Sequence, residues 1–279
     1  MKLFSKINEG YLVVKNSLGS ALQVLGTVTM VINNESIEMI PINWNEIPWL
    51  LNVFKNSIYL FGIIWFLIII YNFLKNSVDI KSDNYKIKVE YDDLFKMKDC
   101  KKVIAFDECF TLAVGEQKPE IKPNSICGQY LKKYPLKCEE LKELINNAKL
   151  EKENRGSQYE GKDRYTSGKL VPRNDFLLMP FAKLDSEGIG HLTREEFLDC
   201  LNVLWKEIDK YYAQNDVCIP ILGSGITRFE DKTLNKQELL DLIITSYKIS
   251  PYKIKSPNTL HIVCKKSDDF SLNKIGETI

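Results

Sequence analysis

Two long runs without charge dominate the first quarter of the chain. Residues 56–74, NSIYLFGIIWFLIIIYNFL, hold no charged side chain, and residues 16–34, NSLGSALQVLGTVTMVINN, form a second, weaker run. A bilayer core of ~30 Å takes roughly 20 apolar residues in a helix, so the pattern predicts two membrane spans, about 16–34 and 56–74. The weaker run is also compatible with a helix lying in the interface. Gly19, Ser20, Ala21 and Gly26 in that run favour close helix packing. Lysines 2, 6 and 15 precede the first run, and Lys75 and Lys81 follow the second, whereas the connection carries Glu35, Glu38 and Glu46. The positive-inside rule then places both termini, and everything after residue 80, in the cytoplasm of a multi-pass plasma-membrane (inner-membrane) protein.

From residue 85 the pattern changes. Tyr85–Tyr91 alternates as a strand does, and 102–106, 176–182, 217–222 and 260–265 are short, nearly continuous apolar runs. Such runs suit central strands covered on both faces. Between them lie helical patterns. Thr193 and Glu196 form a capping box ahead of Phe197, Leu201, Leu204, Ile208 and Tyr211, and Asn235 opens a second helix with Leu239, Ile243 and Tyr247 inward. Residues 139–164 read as a solvated helix followed by a mobile surface loop. Strands and helices in alternation predict a three-layer α/β domain over 81–268, behind an N-terminal two-helix transmembrane hairpin at 1–80 and ahead of a polar tail at 269–279.

Composition refines this in two ways. The net charge of +1 gives no bias toward nucleic acid. Seven cysteines without a CxxC pair, with only two histidines, argue against a zinc site and for free thiols in a reducing compartment. Asp185–Glu196 has partial EF-hand spacing, but Ile189 stands where an oxygen ligand is needed. Gly168-Lys169 is followed by Leu170, where a phosphate-binding Walker loop has Ser or Thr. No metal, cofactor or catalytic residue is expected.

The candidate chemistry is nucleotide binding. Gly223-Ser224-Gly225-Ile226-Thr227-Arg228 follows directly on the strand VCIPIL. Glycines there can expose backbone N–H groups as a nest for phosphate oxygens, with Arg228 adding a charge-assisted bond; the same glycines would serve an ordinary strand-to-helix turn. Ser125–Tyr130, which contains Gly128, follows the strand KVIAF and Asp107-Glu108-Cys109-Phe110. Two glycine-bearing loops at two strand ends can hold a diphosphate between them. Asp93 and Asp107, just after the first strand and at the end of the next, can accept hydrogen bonds from an adenine amino group or a ribose hydroxyl; each can equally be a cap or a surface charge.

The strand with YDDLF, then VIAFDECF, SICGQYL and VCIPILGSGITRF with its following helix, in that order, resembles a macro domain. With two spans ahead of it, nearly the whole chain resembles the Thoeris antiviral effectors of the ThsA type. That resemblance implies a macro-like domain with a mixed central sheet that binds an ADP-ribose-type signal, in this class a histidine conjugate of ADP-ribose. The signal would be made from NAD by a partner TIR-domain enzyme. Binding would drive homo-oligomerisation and disruption of the lipid membrane, ending infection by growth arrest or death. By position, Asp93 would contact adenine, Gly128 would lie in the first phosphate loop, and Gly223, Ser224, Gly225 and Ile226 would form the second. Cys109 and Phe110 would flank the site, and Asp107 stands where many macro domains have asparagine, which argues against hydrolysis. The alternatives are a membrane-tethered ADP-ribosyl hydrolase and a passive anchored scaffold.

Overall fold

The computed structural model describes residues 14, 17–24, 49–118, 120–225, 227–229, 234–267 and 270–275, with side chains at 49–57 and 73 left aside. It divides into two units, Met1–Asn76 with Ser271–Gly276, and Ser77–Phe270 with the last residues.

In the first unit, residues 17–24 are helical and α1 spans Trp49–Leu74. Ser17 and Ala21, one helical turn apart, are buried, and the Trp65 indole N–H of α1 donates to Ser17 Oγ at 2.9 Å. Small residues at that spacing let two helices approach closely. Ile63, Phe66, Leu67 and Tyr71 remain exposed on α1. Among the described residues, no helix is long and apolar enough to cross a membrane. The expected two-span hairpin is therefore not shown: most of the 16–34 run and the whole connection to α1 lie outside the described residues.

The second unit is a three-layer α/β domain around a mixed sheet. Its strands are β1 (Ser77–Lys81), β2 (Lys86–Tyr91), β3 (Cys100–Asp107), β4 (Val171–Arg173), β5 (Phe176–Leu184), β6 (Gly190–Leu192), β7 (Asp216–Pro220), β8 (Arg228–Phe229) and β9 (Leu260–Cys264). The order across the sheet is β1-β2-β9-β7-β3-β5-β6-β8, with β4 beside β5. Strands β2, β9, β7, β3 and β5 are parallel to their neighbours in that order, while β1, β4 and β6 pair antiparallel.

The five parallel strands are the apolar runs of the sequence, and the reason is two-sided burial. On one face Ile104, Phe106, Phe176, Leu178 and Val263 pack with α2 (Ile126–Lys133) and α3 (Cys138–Asn147) through Tyr130, Leu131, Leu141 and Ile145. On the other face lie α4 (Arg194–Tyr211) and α5 (Lys236–Ile249), where Phe181 packs on Phe197 of α4. The Trp205 indole N–H of α4 donates to Ser246 Oγ of α5 at 3.1 Å, and its ring meets Tyr247 edge-on. Both long helices open with full capping boxes, Thr193/Glu196 and Asn235/Glu238.

Several local expectations change. The short strands β1, β4, β6 and β8 have no counterpart in the sequence pattern. Residues 150–168 are not a free surface loop. Ser157 is buried and donates to the buried carboxylate of Glu108, which also accepts the Leu184 N–H at 3.2 Å. The EF-hand-like segment 185–196 is the β5–β6 turn, β6 and the capping box of α4; in the turn Asp185 Oδ1 accepts the N–H groups of Glu187 and Ile189 at 2.9 and 2.8 Å. The 269–279 tail is not wholly polar surface, because Phe270 and Leu272 are buried.

Candidate functional site

The carboxyl ends of β2, β9, β7, β3 and β5 open onto one cavity of about 620 Å3. Ligands of α/β sheets bind at that end, and the volume falls within the ~300–1,000 Å3 of small-molecule sites. Each strand contributes where its chain leaves the sheet. Asp92 and Asp93 follow β2, Phe106 and Asp107 end β3, and Ala182 and Leu184 end β5. Pro220 ends β7 and residues 221–225 follow it, and Cys264 ends β9 with Lys265 next.

The turn after β7 is shaped by Gly223. Its φ is +78°, and a Cβ there would lie 3.0 Å from the Phe229 ring, so the position needs glycine twice over. The turn is closed by Ser224, whose N–H and hydroxyl both donate to the Ile221 carbonyl, at 3.3 and 2.6 Å. Gly225 differs: it is exposed, with open space where a Cβ would point. The N-terminus of α2 lines the same cavity through Ser125, Ile126, Cys127 and Gln129. Ser125 caps the helix, its Oγ accepting the Gly128 N–H at 3.0 Å. That leaves the first N–H groups of the helix, and the positive end of its dipole, available to an anion.

The remaining wall is a strap, 111–125. It folds on itself through a bridge between Val114 and Ile121, and Lys118 pairs with Glu187 of the β5–β6 turn at 2.9 Å. Lys118, Glu120, Lys122 and Asn124 reach the cavity from it. Leu94, Phe95, Phe106, Phe181 and Leu222 supply apolar surface. The cavity wall thus combines backbone donors, apolar side chains that include Leu94 and Phe95 next to Asp93, and the carboxylates of Asp92 and Asp93.

Six of the expected site residues sit on this wall: Asp93, Asp107, Gly223, Ser224, Gly225 and Arg228. Asp93 Oδ1 accepts the Phe95 N–H at 3.0 Å, which leaves its other oxygen available. Asp107 follows a register shift between β3 and β5 at Phe106/Asp107, which re-aims a side chain at a strand end. Its Oδ1 accepts the N–H groups of Cys109 and Thr111 at 2.9 and 3.2 Å. Burial pushes its carboxyl upward, against the opposing pull of those bonds.

Three expected residues lie elsewhere, and Ile226 is outside the described residues. Gly128 does not line the cavity. It is the third residue of α2, and a Cβ on it would stand 2.2 Å from the Lys122 carbonyl oxygen, so this glycine serves helix-to-strap packing. Phe110 is a core residue, 2% exposed, between the rings of Phe106 and Tyr165. Cys109 lies in the turn after Asp107, and burial raises its thiol to about 11. The cavity residues that sequence reasoning missed are mostly on the strap and the β5–β6 turn, among them Phe95, Lys122, Asn124 and Ile189. Ser125, Ile126, Cys127 and Gln129 on the wall belong to the expected loop Ser125–Tyr130. Among the described residues, no cluster of His, Cys, Asp or Glu is arranged to hold a metal ion.

Residues 87–265 match the family described as Thoeris protein ThsA, macro domain. The chain is 31% identical over 217 residues to the Thoeris protein ThsA of Bacillus amyloliquefaciens (strain Y2), covering 74% of this chain and 72% of that protein. Among solved structures it is similar to two variants of the Oceanobacillus iheyensis macrodomain. One, solved with ADPR, has 12% identity, a TM-score of 0.43, and covers 69% of this chain and 92% of that one. The other has 11% identity, a TM-score of 0.45, and covers 73% and 97%. The macrodomain of Thermus aquaticus DarG gives 10% identity and a TM-score of 0.36 over 64% and 97%.

Proposed function

Because the chain belongs to the family of Thoeris ThsA proteins with a macro domain, we propose that its cavity binds an ADP-ribose-type nucleotide and that binding switches the protein on as an antiviral membrane effector. One observation supports this most. The Gly223–Gly225 turn and the capped N-terminus of α2 both line one cavity at the carboxyl ends of five strands. A diphosphate bound there meets backbone donors from both, as anion sites at helix N-termini and glycine turns require. The apolar Leu94 and Phe95 next to Asp93 suit a flat base, and the available Asp93 oxygen suits its amino group. The distal ribose would lie toward the turn after β7, near Arg228.

Asp107 does not serve as a general base in this reading. Its carboxylate is turned onto its own loop, holding the Cys109 and Thr111 N–H groups. The protein is then a sensor that leaves its ligand intact, and the ligand is the product of a partner TIR-domain enzyme, a histidine conjugate of ADP-ribose. The output is assigned to the N-terminal unit as a two-helix membrane hairpin in the plasma membrane, with the macro domain cytoplasmic and homo-oligomers forming on activation. The uncharged run 56–74 within the 26 residues of α1, its exposed Phe66 and Leu67, and the Ser17–Trp65 bond joining the two helices support that reading. Switching requires that the ligand favour the active state. Moving the population from 1:99 to 99:1 takes a roughly 10⁴-fold affinity difference.

The test is to add ADP-ribose and its histidine conjugate to the purified chain, following binding by calorimetry and ligand integrity by chromatography. Binding with intact ligand is the expected result. Turnover would replace the sensor by a tethered hydrolase, and binding of neither would overturn both readings.

A further inference from the structure

At the opposite end of the sheet from the cavity, two buried thiols meet. Cys100 is the first residue of β3 and Cys218 lies in β7, 118 positions away in sequence. The two strands are adjacent and parallel, with Cys100 opposite Asp216 and Lys102 opposite Cys218. The Cys218 thiol donates to Cys100 Sγ with the sulfurs 2.7 Å apart, against about 2.05 Å in a disulfide bond. Both cysteines are free. The remaining buried cysteines of this domain have no sulfur partner recorded among the described residues.

We propose that Cys100 and Cys218 are a redox site, a dithiol that a small hydroperoxide converts to a disulfide joining β3 to β7. Three features distinguish the pair from ordinary buried thiols. The first is reach, because side-chain rotation and a small movement of the strand ends bring the sulfurs to bonding distance. The second is asymmetry. The hydrogen bond from Cys218 draws the Cys100 thiol below its usual range against the effect of burial, and the Lys102 ammonium assists. The same bond, with burial, drives Cys218 upward. The two sulfurs are thus biased in opposite directions, Cys100 toward thiolate and Cys218 toward thiol, the division of labour between attacking and resolving cysteines. The third is charge at the site. Lys102, itself 7% exposed, donates to the Cys100 carbonyl at 3.3 Å and holds a cation beside the sulfur in the interior.

The chemistry closes without another reactant. The Cys100 thiolate attacks one oxygen of hydrogen peroxide; the S–O bond forms, the O–O bond breaks, and the departing hydroxide takes up the proton given up by the Cys100 thiol to become water. Cys218 sulfur then attacks Cys100 Sγ. The S–S bond forms, the S–O bond breaks, and hydroxide leaves as water with the Cys218 proton. Two thiols lose two electrons in total, and one peroxide becomes two waters. Access selects the oxidant: Cys100 is 5% exposed and Cys218 fully buried, which disfavours a bulky disulfide relative to hydrogen peroxide.

The experiment treats the purified full chain, carrying Cys138→Ser to remove the exposed thiol, with hydrogen peroxide and maps it by non-reducing digestion and mass spectrometry. The expected product is a Cys100 peptide joined to a Cys218 peptide, lighter by two hydrogens and separated again by dithiothreitol. In Cys218→Ser the joined peptide disappears and a dimedone adduct appears on Cys100, while Lys102→Met slows formation of the joined peptide severalfold. Peroxide treatment that leaves Cys100 and Cys218 unjoined in folded protein overturns the proposal. So does joining of either cysteine preferentially to another partner.

Discussion

Replacing Gly128 by alanine sets two effects against each other. Alanine in place of glycine inside a helix contributes about 1 kcal/mol of stability through propensity. Here, however, the new Cβ would stand 2.2 Å from the Lys122 carbonyl oxygen, 3.0 Å from its carbon and 3.1 Å from Pro123 Cα. All three are backbone atoms, so no side chain can rotate away. Relief requires 122–125 to move off the first turn of α2, and overpacking of this kind costs about 1–3 kcal/mol. The same movement breaks the Ser125 cap, whose Oγ accepts the Gly128 N–H at 3.0 Å, for about 1 kcal/mol more. The clash wins, with a net destabilisation of about 1–3 kcal/mol. At a urea slope of about 2 kcal/mol per molar, the unfolding midpoint falls by about 1 M. Trp205, buried between α4 and α5, contributes to the fluorescence that follows it. Because Lys122, Asn124 and Ser125 wall the cavity, nucleotide affinity falls in the same variant. A midpoint at or above that of the wild type would refute this account of Gly128, since propensity would then have prevailed over packing.

Other substitutions separate architecture from recognition. Glu108→Ala removes the buried acceptor of Ser157 and the Leu184 N–H; a loss of about 2–3 kcal/mol is expected, with limited proteolysis moving into 150–168. Gly225→Ala, with open space around the new Cβ, should change stability by less than about 0.5 kcal/mol in the same urea assay. Glu90 supplies a pH dependence. Burial works to raise its carboxyl, but hydrogen bonds from Lys88 and His261 outweigh this and hold it below the usual glutamate value. Its contribution is therefore complete above about pH 4.3 and lost as the pH falls through the lower folded value. Glu90→Gln should flatten the acid limb of the midpoint-versus-pH curve, and an unchanged limb would count against that assignment.

The parts of the fold legible in the sequence were those set by local physics. Strands buried on both faces need continuous apolar runs, so KVIAF and VCIPIL were visible as central strands, and capping boxes marked the starts of the two long helices. The short strands β6 and β8 are three and two residues long and exist only through their pairing, so no periodicity announces them. The Gly223 turn was legible because glycine directly after a buried strand has few uses. Gly128 and Phe110 misled for a complementary reason. A glycine looks the same whether a ligand or a carbonyl approaches it, and only the position of Lys122 decides between them. Phe110 likewise joins the core only because Tyr165, brought back by the long loop, supplies the other half of its packing. The strap was invisible as a cavity wall because its place depends on tertiary pairing, including Lys118 with Glu187.

The central claim is that the cavity lined by the Gly223–Gly225 turn and the α2 N-terminus is the nucleotide sensor. It is tested most directly by titrating the histidine conjugate of ADP-ribose into the wild-type chain and into Gly225→Glu by calorimetry. Gly225 is exposed at the cavity wall with free space around it, so the glutamate leaves the fold intact while placing a negative side chain where the diphosphate is assigned. The account predicts saturable one-to-one binding to the wild type and none to the variant at the same unfolding midpoint. Equal binding to both would contradict it.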